Sequence, residues 1–243
     1  RIAGLEQQLN VQLFDRIGKT THLTEAGHTL FPKARSILSE VDESKRLLSN
    51  LSGQISGKLR LGTSHHVGLH RLPSILRRYH VAHPEVALDI EFTDSELACD
   101  SVVKGELELA IVTLPEVADA QLEQQIIWTD RLIFVCDASH PLSRMDTPIS
   151  LGTLSEHEAL LPSSSTVTRK IVDELFKTEQ RHPTIGMETN YLETLKMMAS
   201  IGLGWTALPE IMVGSELHRL SADAATPKRH LGIISHKDRT LSN

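Results

Sequence analysis

The spacing of apolar residues at the start of the chain predicts a helix followed by a β-hairpin. Ile2, Leu5 and Leu9 recur at intervals of three and four with polar residues between them, which is the pattern of one face of an α-helix. Asn10 is expected to end this helix, because asparagine tolerates the left-handed conformation common at helix C-termini. The elements that follow are a short alternating strand at 11–16, a turn at 18–19 and a return strand from 21 to 23.

A second, much longer helix is predicted from Thr24–Glu25 to about Ser52. Threonine is a good N-cap and glutamate suits the positive end of a helix, while Pro32 should bend or loosen the helix locally. A sustained apolar seam on so long a helix is typical of pairing with a second copy. We favour this dimerisation seam, and the alternative that the helix packs on its own domain stays open. The seam consists of Leu30, Ile37, Val41, Leu48 and Leu51.

Beyond a linker at 53–57, strands and helices alternate in two series. The first has strands at 58–62, 86–92 and 107–113, with helices at about 69–82 and 95–104. The second has strands at 132–136, 160–161, 184–187 and 203–208, helices at about 166–178 and 191–201, and a last strand at 231–235. This order predicts parallel sheets with helices on their faces. Segments crossing near Thr129–Asp130 and after about Gly214 would join two such lobes around a cleft.

The composition, 40% hydrophobic and 23% charged, is that of a globular chain. The sequence has no run of eighteen apolar residues and does not start with the pattern of a secretory signal, so we expect a cytoplasmic protein with no membrane contact. Two cysteines, Cys99 and Cys136, exclude a disulfide scaffold and are expected to be inert buried thiols.

The net charge of −6 conceals a division along the chain. Residues 1–58 carry +2 and the remaining 185 residues carry −8. A mildly basic N-terminal part joined to an acidic remainder of the chain suggests two different functions.

The N-terminal residues also match a longer pattern without a gap. The pattern is I-x-x-L-E-x-x-L-x-x-x-L-F-x-R, then a wing, then L-T-x-A-G, and it is met by Ile2, Leu5, Glu6, Leu9, Leu13, Phe14, Arg16, Leu23, Thr24, Ala26 and Gly27. This resembles the winged helix and linker helix of LysR-type transcriptional regulators. The segments GKLRLGTS, HPEVALDIEF, GELELAIV, SHPL and ETLKMMASIGLGWTALPE fit the effector-binding half of that family, so the resemblance covers nearly the whole chain. In two respects the chain departs from the family: the front of the helix-turn-helix and the final helix of the effector domain are missing.

The resemblance implies an α/β fold with an N-terminal winged-helix fragment, a long linker helix and a two-lobed, periplasmic-binding-protein-like effector domain. The implied divisions are 1–23 for the winged helix-turn-helix, 24–57 for the linker and dimerisation helix with its hinge, 58–129 with about 226–243 for effector lobe I, and 130–225 for effector lobe II.

Four polar residues of the N-terminal part are implied to contact DNA. Arg1 is the one cation left on the recognition helix, whose N-terminal residues read base edges in this class of motif. Arg16, Lys19 and Thr20 lie at the tip of the wing and would contact phosphate or the minor groove. The alternative for each is a solvated surface group. Core positions in either case are Leu5, Leu9, Leu13 and Phe14.

Hydroxyl residues stand at corresponding places in the two predicted lobes. Ser64 follows the first strand and precedes a helix, and the stretch Ser163–Thr166 precedes a helix in the second lobe. Helix starts offer free N–H groups to anions, and the carboxyl ends of strands are where open α/β sheets bind ligands. With the resemblance, we expect a small anionic metabolite to be bound by Ser64, His65, Thr93, Thr113, Ser163, Ser164 and Thr166. The alternative that each hydroxyl only caps its own helix stays open.

Enzymatic and metal sites are not expected. His66 and His70 have a chelating spacing, but no cysteine or carboxylate nearby completes a site. Residues 202–207 match G-x-G-x-x-A but follow a helix and enter a strand, the reverse of a dinucleotide site. G-x-S-x-G, H-E-x-x-H and P-loop patterns are missing, and serines 163–165 have no activating base.

We therefore expect a ligand-responsive regulator without cofactor, metal or catalytic residues. Its expected partners are double-stranded DNA, a small anionic effector and further copies of itself, as a dimer or tetramer. The alternative is a solute-binding protein of the same two-lobed fold, which predicts a signal peptide and no winged helix.

Overall fold

The N-terminal segments fold as a helix, a hairpin and a long helix. The computed structural model describes residues 1–18, 20–51, 55–117, 119–145 and 148–241. Its first elements are α1 (Ile2–Leu9), β1 (Phe14–Ile17), β2 (Thr20–Leu23) and α2 (Glu25–Leu51). Asn10 has a φ of 53° and ends α1 in the left-handed conformation, and β1 and β2 pair antiparallel. The two helices, the end of α1 at Asn10 and the hairpin are as predicted, but the first strand begins at Phe14 rather than at residue 11, and Lys19 of the expected turn lies outside the described residues.

Residues of the N-terminal pattern bind the hairpin to the two helices. The Glu6 carboxylate accepts the N–H of Leu13 at 2.8 Å. The Thr24 hydroxyl donates to the carbonyl of Gln12 at 2.7 Å and accepts the N–H of Gly27 at 3.0 Å. A Cβ at Gly27 would lie 2.1 Å from the carbonyl oxygen of Leu13, so only glycine permits this approach.

The expectation that four apolar residues of this region lie in the core is wrong for two of them. Leu13 is buried and Phe14 half-buried, but Leu5 and Leu9 are 41% and 46% exposed. The reason is that no segment within the described ranges covers the apolar face of α1, which has no buried residue.

The apolar seam of α2 is uncovered within the chain. The helix continues through Pro32, and the side chains of Ile37, Val41 and Leu48 are 64%, 45% and 69% exposed. Leu30 is half-buried, and the side chain of Leu51 lies outside those described. The structure therefore does not show this seam packed on the chain's own domain. Dimerisation through the seam stays a prediction.

The remaining elements form two lobes. Lobe I contains β3 (Gly57–Thr63), α3 (His65–His70), α4 (Pro73–Ala82), β4 (Val86–Phe92), α5 (Ser95–Val103) and β5 (Leu109–Thr113). The next strand, β6 (Leu122–Cys136), is shared by both lobes. Lobe II contains α6 (Leu151–Ser155), β7 (Glu158–Leu161), α7 (Val167–Lys177), β8 (Thr184–Glu188), α8 (Leu192–Ser200), β9 (Thr206–Pro209) and β10 (His218–Arg219), with 3-10 turns at Pro141–Arg144 and Glu210–Met212. The chain then returns to lobe I through β11 (Lys228–His236).

Strand pairing explains how β6 belongs to both lobes. The main sheet has the order β10-β6-β11-β5-β3-β4, and β9 also pairs with β6. The first part of β6 pairs with β11 in lobe I, whereas its last residues pair with β9 and β10 in lobe II. Lobe II also holds the parallel pair β7-β8, and its core is built around Trp205 and Phe176.

The strands expected at 107–113 and 203–208 begin later, at Leu109 and Thr206, and three differences from the sequence predictions are larger. The helix expected at 69–82 is two helices, because Pro73 begins α4 and has no N–H to continue α3. The strand expected at 132–136 begins at Leu122, because residues 122–131 pair with β11, a contact between distant segments. The sheet is mixed rather than parallel, because β11 pairs antiparallel with β5 and β6.

No helix within the described part of the chain is long and apolar enough to cross a membrane.

Candidate functional site

A cavity of about 490 Å³ lies between the two lobes. Lobe I contributes the ends of β3, β4 and β5 and the starts of α3 and α5, and lobe II contributes the starts of α7 and α8. This volume is in the range of small-molecule sites, which are commonly found between domains.

Five of the seven predicted effector-binding residues line this cavity: Ser64, His65, Thr93, Thr113 and Thr166. Ser163 and Ser164 are not among the lining residues. The N–H of Ser163 donates to the side-chain oxygen of Asn190 at 3.0 Å, and its hydroxyl lies 3.3 Å from that of Ser165. The role of all seven in effector binding stays a prediction.

Ser64 and Thr166, which stand at corresponding places in the two lobes, differ in their hydrogen bonds. The Thr166 hydroxyl donates to the carbonyl of Ser163 at 2.8 Å and accepts the N–H of Arg169 at 3.3 Å, so it caps α7. Ser64 makes no such cap bond, and its buried Oγ has no hydrogen-bond partner within the described residues. A buried hydroxyl without a partner costs roughly 1–3 kcal/mol, so the Ser64 hydroxyl has a hydrogen-bonding capacity that the described residues leave unused.

His65 packs between aromatic rings from both lobes. Its ring centroid is 5.6 Å from that of Phe92 at the end of β4 and 5.3 Å from that of Tyr191 before α8, edge-on in both cases. His65 therefore forms part of the contact between the lobes.

A buried ion network, which the sequence did not reveal, adjoins the cavity at Arg229. Arg229 and Asp130 are each 3% exposed and face each other on β11 and β6. The Asp130 carboxylate accepts from Arg71 at 2.6 Å and from Arg229 at 3.2 Å. Arg229 also donates to the hydroxyl of Thr168 in α7 at 2.8 Å. One carboxylate thus pairs with two guanidinium groups, and the charge of Glu193 also acts on Arg229.

His66 is held neutral by this network. Nη2 of Arg229 lies 3.0 Å from its Nδ1 and 2.9 Å from its Nε2. Burial and the charge of Arg229 lower the pKa of His66 to about 2, so the imidazole accepts a hydrogen bond and its 3.4 Å approach to Asp130 is not an ion pair. His70, the other histidine of the chelating spacing, lies 3.0 Å from a carboxylate oxygen of Glu193.

The signal for this network was weak in the sequence. Arg229 stands at the end of a polar stretch, and only the antiparallel register of β11 against β6 places it opposite Asp130. Periodicity within a single segment carries no information on such a pairing.

Two hydrogen bonds join the lobes at the edge of the cavity. The Glu96 carboxylate of lobe I accepts the N–H of Val167, the first residue of α7, at 3.0 Å. The Asp94 carboxylate of lobe I accepts from the side-chain amide of Asn190, before α8, at 2.7 Å. Both carboxylates come from the start of α5.

The predicted DNA-contacting residues lie far from this cavity along the chain. Arg1 precedes α1, Arg16 lies on β1 and Thr20 on β2, and all three are exposed. Lys19 lies outside the described residues. Contact of these residues with DNA stays a prediction.

Comparison with known proteins gives consistent matches. The sequence model of the LysR substrate binding domain matches residues 52–243. A probable RuBisCO transcriptional regulator from Nostoc sp. is 29% identical over 252 aligned residues, covering 100% of this chain and 74% of that protein.

Two solved structures show the same fold. The regulatory domain of CcmR from Synechocystis PCC6803, in complex with 2-PG, has a TM-score of 0.68 at 23% identity and covers 77% of this chain and 91% of that one. HinK, a LysR family transcriptional regulator from Pseudomonas aeruginosa, has a TM-score of 0.66 at 20% identity and covers 100% of this chain and 82% of that one.

The expected fold class is confirmed by these matches, because the family model covers well over half of the chain and HinK aligns with all of it. The family consists of transcriptional regulators, not enzymes, that bind DNA and small-molecule effectors, and the alternative of a solute-binding protein therefore falls away. The chain belongs to the LysR-type family of transcriptional regulators, and residues 52–243 match the family's effector-binding domain.

Proposed function

We propose that this regulator senses a small anionic metabolite in the cavity between its lobes. The observation that carries the proposal is a pair of buried donors on lining residues, the Ser64 hydroxyl and Nε of Arg229, both without a partner within the described residues. A carboxylate or phosphate oxygen accepts from either group. The similar CcmR domain is in complex with 2-PG, which supports a ligand of this class.

Short-range contacts must attract the ligand. The chain beyond residue 58 has a net charge of −8, so its long-range field repels an anion. Buried donors act at hydrogen-bond distance and in a low dielectric, where they are stronger than in water. The expected contacts are those of Ser64, His65, Thr93 and Thr113, with Arg229 added.

Effector binding would act on DNA through the arrangement of a dimer or tetramer. We propose that the α2 seam pairs two copies in the cytoplasm and that the N-terminal segment contacts double-stranded DNA through Arg1, Arg16, Lys19 and Thr20. A change in the lobes would then alter the spacing of the paired DNA-binding segments, which couples two sites through two states. The domain divisions at 23, 57, 129 and 225 belong to this proposal.

Loss of the Ser64 hydroxyl tests the effector site. A thermal-shift screen of anionic metabolites would first identify a ligand, and calorimetry would then compare Ser64→Ala with the wild type. Removing a hydroxyl that binds a charged ligand costs about 1.5–3 kcal/mol, or roughly 10- to 150-fold in affinity. Ser74→Ala, at an exposed position in α4, is the matched control. Unchanged affinity in Ser64→Ala would place the ligand elsewhere.

A salt titration tests the DNA contacts. In the full-length regulator, Arg16→Ala should weaken binding across sequences and lower the slope of log K against log salt by about one unit. An unchanged slope with altered base preference would show that Arg16 does not bind phosphate.

A further inference from the structure

The positive end of α7 already holds an anionic group of the protein itself. The N–H of Val167 donates to Glu96 at 3.0 Å, and the N–H of Arg169 donates to Thr166 at 3.3 Å. The first N–H groups of a helix lack partners within the helix and lie at its positive end, so they attract anions. Glu96 thus stands at a place suited to an anionic ligand, in the same cavity as the free donors of Ser64 and Arg229.

Glu96 reaches this place from the opposite lobe. It is the second residue of α5 in lobe I, whereas Val167 begins α7 in lobe II. Its hydrogen bond is therefore also a bridge between the lobes, next to the bridge from Asp94 to Asn190. A ligand that accepted the N–H of Val167 in place of Glu96 would break one hydrogen bond between the lobes. It would supply a hydrogen bond of its own to α7 instead.

The charges around the cavity make such an exchange necessary for an anion. The lining includes the carboxylates of Asp94 and Glu96 and the guanidinium of Arg229, which Asp130 already pairs. An anion that entered with both carboxylates in place would meet like charges, which repel at short range. Movement of Glu96 removes one of these charges and frees a donor at the same time.

A neighbouring cavity does not offer an alternative place for the anion. It has a volume of about 210 Å³ and shares Ser95, Glu96, Thr113 and Val167 with the larger one, but its other lining includes Asp100 and Asp119. The carboxylates there disfavour an anion. The Glu96–Val167 contact lies in the wall between the two cavities. An anion that replaced Glu96 at the N–H of Val167 would therefore approach from the side of Ser64 and Arg229.

We propose that Glu96 is an internal competitor of the effector. Its carboxylate holds the start of α7 across the cleft when no ligand is bound, and the anionic group of the ligand replaces it. This inference rests on the proposed function of the cavity, and it identifies Glu96 as the residue that sets how strongly an anion must bind to switch the protein.

Glu96→Gln tests the competition, because it removes the charge and keeps the size and an acceptor oxygen. Calorimetry on the 243-residue chain would use inorganic phosphate and 2-PG as probes. A charge-assisted hydrogen bond is about twice as strong as a neutral one, so Glu96→Gln should bind a probe about tenfold more tightly than the wild type. Glu85→Gln makes the same charge change at an exposed position before β4 and should bind as the wild type does.

A measurement without ligand tests the bridge itself. Hydrogen exchange of the Val167 amide should be faster in Glu96→Ala than in the wild type, because the N–H loses its acceptor. If Glu96→Gln does not fold, Glu96→Asp, whose shorter side chain weakens the bond to Val167, should also bind the probes more tightly than the wild type.

The outcomes separate this inference from the proposed function. If the wild type binds a probe and the Glu96 variants bind it equally well or more weakly, the competition between Glu96 and the ligand is overturned. The proposed function, sensing of an anionic effector, would then still stand. No binding by the wild type or by any variant would overturn both. Unchanged exchange at Val167 in Glu96→Ala would show that Glu96 does not hold α7 and would also overturn the inference.

Discussion

Acidification should destabilise this protein through the buried imidazole of His66. The side chain is 4% exposed, and burial, followed by the charge of Arg229, lowers its pKa from 6.5 to about 2. In the unfolded chain the pKa returns to about 6.5, so between pH 6.5 and pH 2 the unfolded state binds a proton that the folded state does not. The free energy of unfolding therefore rises with pH in this window. The stability is fully present above pH 6.5 and falls by up to about 1.4 kcal/mol for each pH unit below it.

Urea denaturation at pH 7.5 and at pH 5.5 measures this loss. His66→Gln keeps an acceptor for Arg229 and does not titrate, so the wild type should lose about 1.4 kcal/mol more than this variant between the two pH values. His28→Gln, at an exposed position on α2, controls for the loss of a histidine and should behave as the wild type does. Equal losses in the wild type and His66→Gln would refute the reasoning, because His66 would then not be held neutral in the folded protein.

Three further changes test other parts of the structure. Ile37→Asp places a charge in the exposed seam of α2 and should convert a dimer to a monomer in sedimentation; a variant that stays dimeric would place the association elsewhere. Asp130→Ala leaves Arg229 buried without its carboxylate, which should lower the free energy of unfolding by about 3–5 kcal/mol in urea, and a loss below about 1 kcal/mol would contradict the network. Gly27→Ala puts a Cβ 2.1 Å from a backbone oxygen and should cost roughly 1–3 kcal/mol in thermal unfolding. Gly4→Ala, with nothing within 4 Å, should cost nothing.

Local patterns predicted many of the elements because the spacing of apolar residues within a short segment reflects its secondary structure. The helix expected at 166–178 is Val167–Lys177, and the strand expected at 86–92 is Val86–Phe92. The hydroxyls of Ser64, Thr93 and Thr113 were expected near one another because the carboxyl ends of neighbouring strands meet at one edge of a sheet, and all three line the cavity.

Contacts between distant segments could not be predicted in this way. Arg229 meets Asp130 across 99 residues, and Glu96 meets Val167 across 71. Each pair depends on strand register or on the approach of the lobes, and neither leaves a repeat in the sequence. These polar groups, which line or adjoin the cavity, were therefore the part of the candidate site that the sequence did not predict.

The polar contacts near the junction of the lobes are of two kinds, the buried pair of Arg229 and Asp130 between β11 and β6 and the bridges between the lobes at the cavity edge, and a ligand can exchange only the bridges. Breaking the pair of Arg229 and Asp130 costs about 3–5 kcal/mol because both groups are buried. The half-buried carboxylates of Glu96 and Asp94 each make one bridge at the cavity edge, worth about 1.5–3 kcal/mol as bonds to a charged group. A small ligand that replaces such a bond supplies a comparable amount. We therefore expect the lobes to pivot about Arg229 and Asp130 while the cavity edge opens and closes.

The long helix α2 should follow lobe I in such a movement. Arg35 of α2 pairs with Glu106, which lies between α5 and β5 of lobe I, and β3 of lobe I is the next element after α2 in the chain. Because α5 carries Glu96, we expect release of Glu96 from α7 to change the position of lobe I, with α2, relative to lobe II. On this proposal, effector binding would alter the relative orientation of α2 and lobe II, and a dimer that holds α2 against its copy would convert this change into a new spacing of the N-terminal segments.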